Sequence, residues 1–525
     1  VSGSTQVGGK GGTNIWLIAV VVTLGAFMEV LDTTIVNVSL PHIAGTLSVS
    51  NDESTWSLTT YLVSNGIVLT ISGALSRRIG RKKYFLICIA GFTLMSLACG
   101  ICSSFPELLL FRALQGLFGG GLQPTQQAII LDVFPPEKRA QAFSLTAIAT
   151  IVAPVLGPVL GGYLTDQYSW HWIFLVNIPI GVLTFFGVLH LVPRSATEAE
   201  EKRTAPPFDY WGVLFIALAL GCMELGVDRG EDYDWFSSRF VTVMFVLSAF
   251  GYLVGSVYLL RVRHPVVNLR VFKDRNFALS WLEIAIMGFV LYSSAVVIPQ
   301  FAQTELGYTA TLAGLVLAPG AIVLIVLIPL VARALKLIAV KYVIALGGIV
   351  LCAALLYSRN LVPGLDFWDL VKYRAAQSGA LALLFVPIST IAYTTVPKEL
   401  DGDATALFSM ARNVFGGIGI SVATALVTDH EQIRQNFLVN HLTPVDQPYN
   451  VLLAQVQQSM ENFGVSAAQA VAQAPGEVFR MLQTQSAVLA YTDVFLITAG
   501  LALLLTPAAL FMSGVKPVAG GGEAG

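Results

Sequence analysis

The stretch FRALQGLFGGGLQP, Phe111 to Pro124, decides the architecture, because a related stretch recurs later in the chain. At Tyr373 to Pro387 the sequence reads YRAAQSGALALLFVP, so that Arg112 aligns with Arg374 and Gln115 with Gln377. Each copy runs on into a proline-containing turn, VFPPEKRAQAFSL in the first and VPKELDGDATALFSM in the second. Arg112 to Pro135 and Arg374 to Pro397 are both 23 residues. Both copies lie in apolar segments long enough to cross a hydrocarbon layer ~30 Å thick. A repeat of whole spans predicts two halves in parallel orientation with a site between them, the arrangement of one large class of secondary transporters.

The composition agrees with a membrane-embedded chain. Of 525 residues, 55% are hydrophobic and only 12% charged, and the mean hydropathy is +0.72. A soluble domain carries about 25% charged residues. The expected class is an all-α polytopic membrane protein; a closed barrel would need short alternating segments, which the sequence lacks. A net charge of −2 without a basic patch gives no sign of a nucleic-acid partner. The five cysteines, Cys88, Cys99, Cys102, Cys222 and Cys352, fall in or beside apolar runs and form neither a disulfide framework nor a metal pattern.

Fourteen spans are expected, at about 15–40, 54–75, 84–103, 106–131, 140–164, 170–191, 209–227, 238–260, 276–302, 309–332, 340–358, 366–395, 404–428 and 486–512. The first run is too long for a signal peptide and is read as a retained span. With the N-terminus cytoplasmic, 21 of the 30 Lys and Arg fall in cytoplasmic loops and tails, the bias that orients membrane proteins. The division that follows is a tail at 1–14, a six-helix half at 15–191, a cytoplasmic linker at 192–208, two additional helices at 209–260, a second six-helix half at 276–512, and a tail at 513–525. The second half includes a long external segment, 429–485, whose apolar spacing predicts amphipathic helices rather than coil.

Within the first span, EVLDTTIVN (Glu29 to Asn37) places two acids where hydrocarbon disfavours them by about 2.5–3.5 kcal/mol or more each. Glu29, Asp32, Thr33 and Asn37 stand at i, i+3, i+4 and i+8 and would share one helical face. Such acids persist when turned to a polar cavity, and a carboxyl whose surroundings alternate can bind and release a proton. Asp32 is the first choice for that role. Glu29 is open between a second proton site, a charge that selects substrate and a solvated cavity residue. Arg112 keeps its own proton, so its expected part is to pair with Asp32. Gln115, one turn on, could join them. Glu283 and Arg412 are expected at the cavity wall. Arg374 and Gln377 would be counterparts of Arg112 and Gln115, although Asp369 and Lys372 nearby point to an external charge cluster. Trp281, Tyr292 and Phe301 offer apolar or cation–π contacts to a ligand, or equally to lipid.

In the fifth span Pro154, Gly157, Pro158, Gly161 and Gly162 favour close helix contact and irregular hydrogen bonding, the properties of a seal or hinge. Between spans two and three, Gly73, Arg78, Gly80 and Arg81 combine a turn with topology-fixing charge. No phosphate loop, metal cluster or nucleophile constellation is evident, so an enzyme is not expected.

These residues together resemble the major facilitator superfamily, within it the fourteen-span drug:proton antiporters of the EmrB/QacA family. VLDTTIVNVSLP (30–41), GALSRRIGRKK (73–83), LLFRALQG (109–116), APVLGPVLGGYL (153–164), DRGEDYDWFSS (228–238), IPQFAQTELGYTATLAGL (298–315) and MARNVFGGIG (410–419) carry the resemblance. It implies a multi-pass protein of the bacterial inner membrane that exports hydrophobic drug-like molecules, with protons as the coupling ion and no cofactor. It also implies a tripartite pump with a periplasmic membrane-fusion adaptor of the EmrA type and an outer-membrane channel. One departure stands out: the superfamily's loop motif usually has an acid where this chain has Arg77. Two other classes stay open at this point, a transporter of one solute without proton antiport and a non-transporting scaffold. The cost of burying acids weighs against the scaffold.

Overall fold

The computed structural model describes residues 14–193, 207–440, 442–443 and 445–513. The expected tails and nearly all of the linker at 192–208 lie outside the described residues. Every regular element among the described residues is helical. We number the principal helices α1 Ile15–Ile35, α2 Asn51–Ile79, α3 Arg81–Cys99, α4 Phe105–Gly119, α5 Leu122–Val133, α6 Pro136–Gln167, α7 Asn177–Leu191, α8 Tyr210–Asp228 and α9 Arg239–Arg261. In the second part of the chain follow α10 Arg275–Thr304, α11 Ala310–Ala334, α12 Val340–Ser358, α13 Phe367–Ala392, α14 Asp401–Val439, α15 Gln447–Asn462, α16 Ala467–Leu503 and α17 Leu505–Leu510.

Local chemistry sets several boundaries. Asn14 caps α1 by accepting the backbone N–H of Trp16, and Ser50 with Glu53 and Ser104 with Glu107 form reciprocal capping boxes at the starts of α2 and α4. Gly80, at φ +98°, makes the sharp turn between α2 and α3 that a side-chain-bearing residue would resist.

Among the described residues twelve helical stretches are long and apolar enough to cross a bilayer, and α6, bent just after Pro154, makes a thirteenth when its two parts are counted as one span. The stretch expected as one span at 106–131 is instead two helices, α4 and α5, in series across Gly119, Gly120 and Gly121. The break has a packing reason. A side chain on Gly120 would strike the backbone of Asn65 and Leu69 in α2, and one on Gly121 would strike Tyr84 and Cys88 in α3. The first span is long enough to cross, Ile15–Leu47, but it is not one regular α-helix: α1 stops at Ile35, Asn37 to Ser39 form a 3-10 turn, and a short helix, Leu40–Leu47, follows.

The repeat extends well beyond the two quoted stretches. Asp32 and Ser294, Ser96 and Ser358, Arg112 and Arg374, Gln115 and Gln377, and Pro135 and Pro397 all stand 262 residues apart. The same offset carries α1 onto α10, α3 onto α12 and α4 onto α13. In the first half α1 packs on α6, and in the second α10 packs on α14. The halves meet where α6 lies against α11 and α2 against α14. The additional pair, α8 and α9, sits outside this seam. Gly221 of α8, at the end of a π-helical turn, approaches Val63 and Ile67 of α2. The carboxylate of Glu224 reaches Gly417 of α14. Arg229 stacks 4.3 Å over the ring of Trp56, and Asp228 bonds Thr59, fastening the outer end of the pair to α2.

The segment 429–485 is helical, as its apolar spacing requires. The outer end of α14, then α15 and the start of α16 form a hairpin closed by Val456, Ala474 and Val478.

Candidate functional site

Asp32 and Arg112 form an ion pair with both side chains fully buried. Arg112 Nη1 lies 2.5 Å from Asp32 Oδ2. Gln115 Nε2 and Asn177 Nδ2 each donate to Asp32 Oδ1 at 3.0 Å. Arg112 is held in turn. Its Nε donates to the carbonyl of Ser57 at 3.0 Å, its Nη1 also donates to Gln115 Oε1 at 2.9 Å, and its guanidinium lies 4.1 Å from the centre of the Tyr61 ring. Four helices, α1, α2, α4 and α7, therefore converge on one carboxylate. Each can do so because small residues let the backbones close: a side chain on Gly116 would meet the carbonyl of Tyr61.

Glu29 stands one turn earlier on α1, equally buried, and faces different neighbours. Asn65 Nδ2 donates to its Oε1 at 3.1 Å, and Gln123 donates to its Oε2. Two neutral amides replace the guanidinium. The charge in electrostatic reach comes from the other half, Arg412 of α14. Arg412 is fully buried; its Nε donates to Asn413 Oδ1 at 3.3 Å, and its guanidinium is 5.6 Å from the Phe385 ring. Its Nη1 and Nη2 make no hydrogen bond among the described residues. Tyr292 lies in reach of both charges. Glu29 thus lies within electrostatic reach of Arg412 of the other half as well as of Asp32 on its own helix.

The expected residues divide accordingly. Asp32, Arg112 and Gln115 are brought together, and Glu29 with Arg412 forms a second locus. Asn37 is not part of either: it lies beyond the end of α1, exposed, so the shared face stops at Thr33. Glu283 is fully buried in α10, with both oxygens unpartnered among the described residues. It stands about 13 Å along the helix from Tyr292 and joins neither locus. Trp281 donates to the carbonyl of Leu407, and Phe301 packs edge-on against Tyr491, so both are committed within the second half. The external cluster is present as an exposed Lys372–Asp369 pair, but Arg374 turns inward and is fully buried. Asn65, Gln123, Asn177 and Ser57 were not foreseen. The available signal was three neutral amides inside otherwise apolar runs.

Around this site the glycines and charges close the seam. Side chains on Gly157 or Gly161 would strike Thr34 or Ile35 of α1, and Gly162 faces Thr311 of α11. With Pro154 and Pro158 inside the same helix, α6 is wedged between the halves. At the C-terminal end of α2 Gly73 lies against the backbone of Gly402, and Arg77 forms a two-pronged ion pair with Asp403 at 2.8 and 3.2 Å. The acid that the loop motif lacks is supplied by the facing helix. Arg81 pairs with Asp132 inside the first half, and Arg78 lies 5.9 Å from the Phe208 ring. Tyr393 donates to Gln127 Oε1 at 2.7 Å, and its ring packs on Phe143, again joining the two halves.

Comparison with known proteins agrees with this architecture. Residues 22–430 match the Major Facilitator Superfamily. The multidrug export protein EmrB of Escherichia coli (strain K12) is 32% identical over 516 residues, covering 98% of each chain. The probable multidrug resistance protein EmrY of the same strain is 31% identical over 509 residues, 96% of each. Among solved structures, the proton:xylose symporter XylE bound to 6-bromo-6-deoxy-D-glucose superposes with a TM-score of 0.58, covering 95% of both chains at 15% identity.

Proposed function

The chain belongs to the Major Facilitator Superfamily, and from that premise we propose that it is a proton-driven exporter of hydrophobic toxic compounds in the bacterial inner membrane. The observation that carries the reading is the buried Asp32–Arg112 pair held by Gln115 and Asn177. A fixed structural pair would serve as well buried in apolar surroundings, and replacing such a pair by apolar residues is often neutral or stabilising. Its retention on the helix that also presents Glu29 to the seam favours a working role.

Protonating Asp32 removes the negative member of the pair and leaves Arg112 to its carbonyl and ring contacts. That weakens the tie between α1 and α4 and shifts the balance between conformations by the differential interaction energy of the two states. The cytoplasmic closure by Arg77–Asp403 and Tyr393–Gln127 belongs to one of these states. Opening it would expose the seam, with Glu29 and Arg412, to substrate from the cytoplasm. Substrate then leaves outward as a proton enters. Glu29 offers a negative charge to cationic drugs, and Phe385 and Tyr292 beside it offer aromatic surface.

The names of the relatives support drugs as the cargo, since EmrB is a multidrug export protein. The external hairpin supports the inner-membrane role in a tripartite pump, docking a periplasmic adaptor of the EmrA type that leads to an outer-membrane channel. It carries bare apolar side chains, Val445 at 92% and Phe463 at 89% exposure, which a water-facing loop would not need. The test of coupling is reconstitution in proteoliposomes with an imposed pH gradient. Dye should move against its own gradient and collapse the proton gradient as it does so. Dye movement that never exceeds equilibration, with the proton gradient untouched, would assign the protein to facilitated diffusion.

A further inference from the structure

The two halves use the same machinery with one difference in charge. Arg112 and Asp32 are 80 residues apart, and so are Arg374 and Ser294, which occupies the place of Asp32 in the second half. Arg374 Nη1 donates to Ser294 Oγ at 2.8 Å and to Gln377 Oε1 at 3.4 Å. Gln377 Nε2 is occupied by Ser358 Oγ at 2.8 Å. The residue standing where Ser57 stands in the first half is Pro319, and Arg374 Nε makes no bond there. Both Nε and Nη2 of this fully buried guanidinium are unpartnered among the described residues. A buried charge is ordinarily paired, because desolvation is otherwise uncompensated. The first half meets that requirement with the carboxylate of Asp32; the equivalent position of the second half holds the neutral Ser294.

We propose that Arg374 is the centre of a binding site for a small monovalent anion, which takes the place that the Asp32 carboxylate takes in the first half. A second orphaned donor lies alongside. Ser378 Oγ, one turn on from Arg374, is buried and without a partner. Both residues border Gly320 of α11: a Cβ there would lie 2.6 Å from Ser378 Oγ and 2.9 Å from Arg374 Cγ. The stem of Arg374 and the serine hydroxyl therefore border one contact between α11 and α13. The anion is small because the site is inside one half. Arg374, Gln377, Ser378, Ser294 and Ser358 are all buried, which excludes a drug-sized acid. The site is separate from the Glu29–Arg412 locus, and its role is to complete the charge of the second half.

The test uses the purified full-length protein in lipid nanodiscs at constant ionic strength, with sodium gluconate replaced stepwise by sodium chloride or by sodium formate. A ligand bound only by the folded state raises the unfolding midpoint. Wild type should show a saturable rise in Tm of a few degrees with at least one small anion, and the two arms separate a halide from a small carboxylate. Ser294→Asp supplies the carboxylate internally, so it should be stabilised in gluconate and lose the response. Ser378→Ala should need several-fold more anion to reach the same midpoint. A wild type indifferent to both anions overturns the proposal, as does a response that survives unchanged in Ser294→Asp. Should that variant fail to accumulate, an unshifted anion midpoint in Ser378→Ala overturns it equally.

Discussion

Asp32 and Glu29 are one helical turn apart on α1, yet they sit in different surroundings. Asp32 points into its own half and accepts from a guanidinium and two amides, whereas Glu29 accepts from two amides and faces a charge in the other half. Removing the Asn177 donor by Asn177→Ala takes away a hydrogen bond to a carboxylate, on the order of 1.5–3 kcal/mol. Proton-coupled transport should slow about tenfold or more at unchanged protein abundance, and Asn177→Gln should recover part of it. A rate equal to wild type would make Asn177 a bystander. Glu29→Gln should keep the fold and depress export of cationic dyes at least about tenfold relative to neutral ones, since it removes charge and keeps shape. Equal loss for both classes would move Glu29 from selecting substrate to carrying the proton. The charged members of the site were legible in the sequence because hydrocarbon makes a buried charge expensive and so informative. Asn65, Gln123 and Asn177 were not, since a neutral amide is tolerated in a span for ordinary packing reasons. Asn37 leaves the shared face because i+8 spacing assumes regular α-helix, and the 3-10 turn at Asn37 to Ser39 changes the register.

At the level of elements, the decisive contacts lie between helix ends. Gly73 and Gly402 touch backbone to backbone, and the Arg77–Asp403 pair spans the same joint, with Asp403 buried and Arg77 partly exposed. Gly73→Ala places a methyl group against the Gly402 carbonyl and should favour the cytoplasm-open state. Cysteine cross-linking between the cytoplasmic ends of α2 and α14 should fall while the protein stays folded; undiminished cross-linking would show that the joint gives way locally. Exchanging the charges in Arg77→Asp with Asp403→Arg should restore part of the transport that either single change removes, with a coupling energy of about 0.5–3 kcal/mol. Strictly additive losses would mean that the pair does not hold the gate. The sequence reading put these glycines and arginines together around one turn, which the structure places at Gly80. It could not show that Asp403 supplies the acid missing at Arg77, because the two residues are 326 positions apart. It did not show that the span at 106–131 is broken into α4 and α5, because an apolar run over three glycines looks continuous until α2 and α3 are seen pressing on them.

At the scale of the whole molecule, a parallel duplication supplies two similar halves, and function has come from making them unequal. The first half keeps the acid–arginine pair; the second keeps the arginine and presents Arg412 to the seam. The two-half plan was readable because duplicated motifs preserve their spacing, as Arg112 to Pro135 and Arg374 to Pro397 do. The external hairpin was readable as helical, though its bare side chains become visible only when folded. Removing α15 with its flanking turns should leave dye transport in proteoliposomes near wild type and abolish co-purification with a periplasmic adaptor. Retained co-purification would place docking elsewhere. The central claim is that Asp32 couples protons to export, and it is tested most directly by pH-gradient-driven dye transport in proteoliposomes, wild type against Asp32→Asn at matched incorporation. The account predicts that the variant inserts and folds, since asparagine keeps an acceptor for Arg112, but neither concentrates dye nor dissipates the proton gradient when dye is added. Dye accumulation by Asp32→Asn that still follows the imposed pH gradient would contradict it.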